Sequence, residues 1–154
     1  MAAGGGGELH VVMFPFLAFG HISPFAQLAL KIVGVGGVRV TFLSAVANVS
    51  RVEAMLGGVA VAAVVALHLP RVPGLPEGAE STADVSPDGV ELIRIAVDGT
   101  RPQVASLLAY LRPDVVLFDF ATLWVADVAA PLNVKAVHFS VVSAVCGAYL
   151  MSVG

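Results

Sequence analysis

One histidine is the natural starting point for chemistry in this chain. His21 stands in FPFLAFGHISPF, residues 14–25. An apolar run from His10 to Phe14 stops at Pro15, a short loop carries Gly20 and His21, and Ser23 with Pro24 reads as the N-cap and first turn of a helix. His21 is therefore expected at a strand-to-helix corner. In open α/β sheets, ligands bind at such corners, outside the carboxyl ends of the strands. A neutral imidazole, with an unperturbed pKa of about 6.5, takes a proton from a hydroxyl near neutral pH. Taken alone, a histidine on an apolar chain reads by default as a hydrogen-bonded structural residue. A working base also needs a carboxylate on its far ring nitrogen, to fix the tautomer and to stabilise the charge that develops. Asp119 stands in the run DVVLFDF just past the end of the strand Asp114–Phe118, at its carboxyl end and on the same sheet edge as His21. By itself it equally reads as a helix cap or the partner of a cation.

The elements that must position these two residues follow from hydrophobic periodicity. Strands are predicted over Leu9–Phe14, Val38–Ser44, Val59–Leu69, Asp114–Phe118 and Val134–Phe139. Between the first two, Phe25, Leu28, Ala29 and Ile32 recur at helical spacing from Pro24 to Val33, and Gly34–Gly37 end that helix. Ser50 and Glu53 have capping-box spacing for a second helix, which stops at Gly57 and Gly58. A Pro-rich connection runs from Pro70 to Pro87, with Ser86–Pro87 as the next helix start and a break near Thr100–Pro102. A further helix, Thr122–Leu132, presents Trp124, Val128 and Leu132 on one face, and another is expected to start after Ser140. Strands alternating with helices imply right-handed crossovers and an α/β, doubly wound parallel sheet. Residues 1–7 form a Gly/Ala tail expected to be disordered.

Composition excludes several classes. The 154 residues are 58% hydrophobic and 12% charged, with a net charge of −3 and no Lys/Arg cluster, which argues against nucleic-acid binding. Two stretches free of Asp, Glu, Lys and Arg, Val11–Leu30 and Ala136–Gly154, have the length of membrane spans. The first contains Pro15, Gly20 and Pro24, and both are better read as buried parallel strands with their neighbours, so no membrane insertion is expected. MAAGGGGE lacks the basic start of a secretory signal, and the lone Cys146 permits no internal disulfide; both fit a cytoplasmic protein. No metal is expected: His10, His68 and His138 lie in or near strands without ligand spacing to one another or to Cys146. Asp114 is expected as a turn residue on the opposite edge, and Asp127 as a residue within a helix.

The segments FPFLAFGHISPFAQLALKI and VVLFDFATLWVADVAA resemble plant family 1 UDP-dependent glycosyltransferases. The resemblance implies the Rossmann-like N-terminal domain of a GT-B glycosyltransferase, with the histidine of G-H-x-x-P, here His21, as the catalytic base and Asp119 as its dyad partner. It implies a small-molecule acceptor and a UDP-sugar, with UDP-glucose the expected co-substrate, and no other cofactor. Phe16, Phe19, Gly20 and Phe120 are candidate acceptor contacts, though the aromatics equally suit a core; Ser140, with Ser143 nearby, falls in the region next to the transferred sugar. The wording FDFATLWV looks most like the branch that extends sugars on flavonoid or terpenoid glycosides. The family's donor signature is not found in the sequence, so 8–154 is expected to be an incomplete, truncated acceptor-binding domain, with the donor-binding domain absent. The alternative is a catalytically inactive truncated protein that binds small phenolics or a partner chain through a bare apolar face.

Overall fold

A computed structural model describes residues 7–141. The tail expected over 1–7, apart from Gly7, and the helix expected after Ser140, with Ser143 and Cys146, lie outside these residues. Five parallel strands, β1 (Leu9–Phe14), β2 (Val38–Ala45), β3 (Ala62–Leu67), β4 (Val115–Phe118) and β5 (Lys135–His138), lie in the order β3-β2-β1-β4-β5. The chain steps outward from β1 to β3 and then returns to the far side of β1, so the direction reverses between β1 and β4. The doubly wound, Rossmann-like sheet expected from the sequence is present, and its switch point falls between the strands that precede His21 and Asp119.

Helices α1 (Phe19–Val35) and α2 (Val49–Met55) cover one face, and α3 (Val90–Asp98), α4 (Arg101–Leu111) and α5 (Trp124–Ala129) the other. Val11, Met13, Val40 and Phe42 point towards Ile22, Phe25, Ala26 and Ala29 of α1. Val12, Phe14, Leu43 and Val116 point the opposite way, towards Ile93, Val97, Val104, Leu108 and Val125. This two-sided burial is why β1 carries the continuous apolar run Val11–Phe14 rather than an alternation. Gly36, at φ 91, ends α1 in a conformation that a side chain would strain, with its N–H donating to Val33 O.

Three local expectations are corrected. Helix α1 begins at Phe19 with Ala18 as N-cap, so Ser23 caps nothing and Pro24 lies inside the helix. The missing Pro24 N–H leaves one carbonyl, that of exposed Gly20, without its usual donor, and in exchange Ile22 joins Phe25, Ala26 and Ala29 in a fully helical buried stripe. In α2 the Ser50–Glu53 capping box does not form. A 3-10 turn over Val46–Asn48 starts the coil earlier, and Asn48 takes the cap position while its side-chain amide donates to Glu80 O. The single helix Thr122–Leu132 is replaced by a 3-10 turn at Phe120–Thr122, α5, and a 3-10 turn at Ala130–Leu132. Those turns shift the helical phase, so Val125 and Ala129 are buried while Leu132 is exposed. The break near Thr100 does separate α3 from α4.

Candidate active site

The register of β1 against β4 sets the site. Phe14 pairs with Phe118, so the two strands end level, and the residues just beyond them, Phe16 and Asp119, face each other across the switch point. The Phe16 N–H donates to Asp119 Oδ2 at 2.9 Å. From the first turn of α1, His21 Nδ1 lies 2.8 Å from the same Oδ2. The Phe120 N–H donates to Oδ1 at 2.8 Å, so the carboxylate also caps the 3-10 turn that follows β4. Capping and pairing with the imidazole, alternatives in the sequence, coexist because a carboxylate has two oxygens and several lone pairs.

Asp119 is buried, at 1% exposure, and burial alone would push its pKa up. The hydrogen bond from His21 and those from the Phe16 and Phe120 amides outweigh this and hold the carboxyl below its ordinary range. It is therefore ionised at neutral pH and can only accept. The proton between the two groups then belongs to His21 Nδ1, which leaves Nε2 of the neutral imidazole as the basic nitrogen. Nε2 has no protein hydrogen-bond partner among the described residues, and the side chain keeps 19% exposure. Thr122, fully buried, braces the turn: its Oγ1 accepts from Asp119 N and donates to Asp119 O, both at 3.2 Å.

Two aromatic rings lie beside the imidazole. Phe16 meets it edge-on, with centroids 6.0 Å apart, and Phe120 lies tilted at 5.4 Å. Phe16 is buried whereas Phe120 is 56% exposed. Phe19 is drawn away to α2, where the Arg51 guanidinium sits 3.7 Å over its ring. Gly20 is exposed, with open space where a side chain would be, and Ser140 is exposed just past β5. Of the residues singled out from the sequence, His21, Asp119, Phe16 and Phe120 thus form one cluster, while Phe19 packs against Arg51.

Several other polar residues have structural partners. His10 Nε2 pairs with Thr41 Oγ1 at 2.7 Å, and Asp114 accepts from the His10 N–H while its own N–H donates to His10 O, on the edge away from His21. His138 is exposed and stacks on Phe118, with centroids 5.5 Å apart. The Trp124 indole donates to Asp98 Oδ1 at 3.0 Å, a bond between residues too distant in sequence for any local pattern to signal. Among the described residues no group of three or more His, Cys, Asp or Glu could hold a metal, and no helix is long and apolar enough to cross a membrane.

No family model matches the chain. It is 53% identical over 135 residues to UDP-glycosyltransferase 79A2 of Stevia rebaudiana, a match covering 87% of this chain and 30% of that protein. It is 51% identical over 142 residues to anthocyanidin-3-O-glucoside rhamnosyltransferase of Petunia hybrida, covering 92% and 30%. A Glycine max relative described as inactive UDP-glycosyltransferase 79A6 is 46% identical over 143 residues, covering 93% and 43%. Among solved structures, Arabidopsis thaliana UGT89C1 complexed with UDP-L-rhamnose matches with TM-score 0.74 and 25% identity, over 84% of this chain and 35% of that one. Glycyrrhiza uralensis UGT73P12 complexed with glycyrrhetinic acid 3-O-monoglucuronide matches with TM-score 0.74 and 26% identity, over 85% and 28%. In sequence and in fold the chain resembles plant UDP-glycosyltransferases of the GT-B type, and it spans 30% of the length of its Stevia and Petunia relatives.

Proposed function

We propose that this chain supplies the acceptor-binding part of an inverting UDP-sugar glycosyltransferase acting on a hydroxyl of a plant small molecule. The observation that carries the reading is the 2.8 Å contact between His21 Nδ1 and buried Asp119, at the switch point of the sheet. In this reading the acceptor hydroxyl donates to His21 Nε2. As its oxygen attacks the anomeric carbon of the sugar and the bond to UDP breaks, the proton passes to Nε2 and Asp119 stabilises the imidazolium. Exposed Phe120, beside His21, suits the apolar body of a flavonoid or terpenoid acceptor, itself a glycoside in the finer version of the proposal. UDP-glucose is the proposed donor, held mainly by a second, donor-binding domain; Ser140 is the proposed contact from this chain to the transferred sugar, and the cytosol the proposed compartment.

The test joins this chain to the remaining two thirds of a relative and measures transfer from UDP-glucose to flavonoid and terpenoid glycosides. His21→Ala is expected to lower turnover by about 10²- to 10⁴-fold, the contribution of a positioned general base. Wild-type turnover in that variant would sink the proposal. The relative described as inactive favours a second reading, in which the chain binds small phenolics or a partner chain without catalysis. Saturable acceptor binding with no transfer by the joined protein would select it.

A further inference from the structure

The two residues whose amides hold the Asp119 carboxylate are also the two whose rings lie beside His21. Phe16 belongs to the core, and its position needs no further account. Phe120 is different: 56% of it is exposed, so burial does not explain where its ring lies. Its backbone is fixed by the bond from its N–H to Asp119 Oδ1, and from there the ring tilts 37° to the imidazole plane at 5.4 Å, while standing 6.3 Å from the Phe16 ring. These separations lie within the range over which aromatic rings attract each other. The three ring centroids stand at the corners of a near-equilateral triangle, so the imidazole meets the edge contact with Phe16 and the tilted Phe120 ring in one aromatic cluster.

We propose that Phe120 is a positioning residue for the His21–Asp119 pair: its ring holds the imidazole in the orientation that keeps Nδ1–H on the carboxylate, and it screens that bond from water. The inference rests on the reading of His21 as the base, but its test does not. A π face beside the ring also favours the imidazolium formed when the base takes its proton. Phe120 therefore acts on His21 rather than serving only as a wall for the acceptor.

The experiment uses the present chain, labelled with 15N, and reads the His21 ring nitrogens by NMR together with solvent exchange of Nδ1–H. Phe120→Leu removes the ring and Phe120→Tyr keeps it, while both retain the backbone N–H that Asp119 needs. The leucine variant is expected to exchange Nδ1–H about three- to tenfold faster, the worth of one aromatic pair, and to populate both tautomers. The tyrosine variant is expected to match wild type. Should the leucine chain unfold early in a thermal melt, Phe120→Met repeats the comparison with a flexible side chain of similar bulk. Exchange in the ring-less variants within twofold of wild type, or a tyrosine variant as fast as leucine, overturns the proposal. No sugar donor enters the measurement, so its failure leaves the transfer reading standing, and failed transfer leaves this measurement standing.

Discussion

Replacing Asp119 by Asn separates the charge of this side chain from its shape. The carboxylate accepts from three N–H groups: Phe16 and His21 on Oδ2, and Phe120 on Oδ1. An amide offers one oxygen and an NH₂. In its better orientation the oxygen keeps Phe16 and His21, and the NH₂ faces the Phe120 N–H, so one donor loses its acceptor at a cost of about 1–3 kcal/mol. The two surviving bonds lose their charge, at about 1 kcal/mol each. Relief of the buried charge offsets part of this, because burial opposes ionisation at this position. The net loss expected is about 2–3 kcal/mol at pH 7, a fall in Tm of about 5–10 °C for a chain of this size. The pH dependence supplies a second handle. Because the folded pKa of Asp119 is depressed, its contribution is complete well above the unfolded value of about 3.9 and drains away as the pH falls through that value and then through the folded one. Urea titrations of both chains at pH 7 and pH 3 should therefore show a gap that narrows in acid. A gap below about 0.5 kcal/mol at pH 7, or an equal gap at both values, would refute this account of the carboxylate.

Two further perturbations test the fold around the site. His10 is buried, and burial together with the Arg39 charge lowers its pKa, so the unfolded chain binds the proton first. Stability should rise with pH up to about 6.5, and His10→Gln should flatten that slope in urea titrations between pH 5 and 7.5; an unchanged slope would show that His10 is not its source. Gly99, at the break between α3 and α4, lies so close to Pro70 that an added Cβ would stand 2.5 Å from Pro70 Cγ. Gly99→Ala should cost about 1–3 kcal/mol by thermal melt, and no loss would mean that the Pro70 loop yields freely.

The central strands were legible because they are buried on both faces. Parallel strands covered by helices must be apolar throughout; the Leu9–Phe14 run matches its strand, three others differ by one or two residues, and Val59–Leu69 shortens to Ala62–Leu67. Helix starts were less legible, since they depend on contacts no window contains. Ser23–Pro24 has the local chemistry of an N-terminus, but burial of Ile22 beneath the sheet favours one more turn despite the lost hydrogen bond. Asn48, not Ser50, leads α2 because Glu80, 32 residues away, engages its side chain. The placement of His21 and Asp119 on one edge could be read from where their strands end. Their separation could not, because it depends on β1 and β4 being neighbours in matching register.

That register explains why one aspartate both caps a turn and faces a histidine 98 residues away. At a switch point the two strands diverge into connections on opposite faces of the sheet, so the backbone N–H groups just beyond each strand have no ladder partner. Phe16 beyond β1 and Phe120 beyond β4 are two such groups, and a single buried carboxylate satisfies both. Once it is there, the remaining lone pair on Oδ2 faces the first turn of α1, and a histidine at that turn meets an acceptor already fixed by the fold. The positioning of His21 thus adds little ordering cost of its own: the bonds that close the switch point hold Asp119 whether or not the imidazole is present. His21→Ala should accordingly leave the chain folded, with a Tm change smaller than that of Asp119→Asn. A larger loss from the histidine variant would mean that the imidazole holds the carboxylate, rather than the reverse.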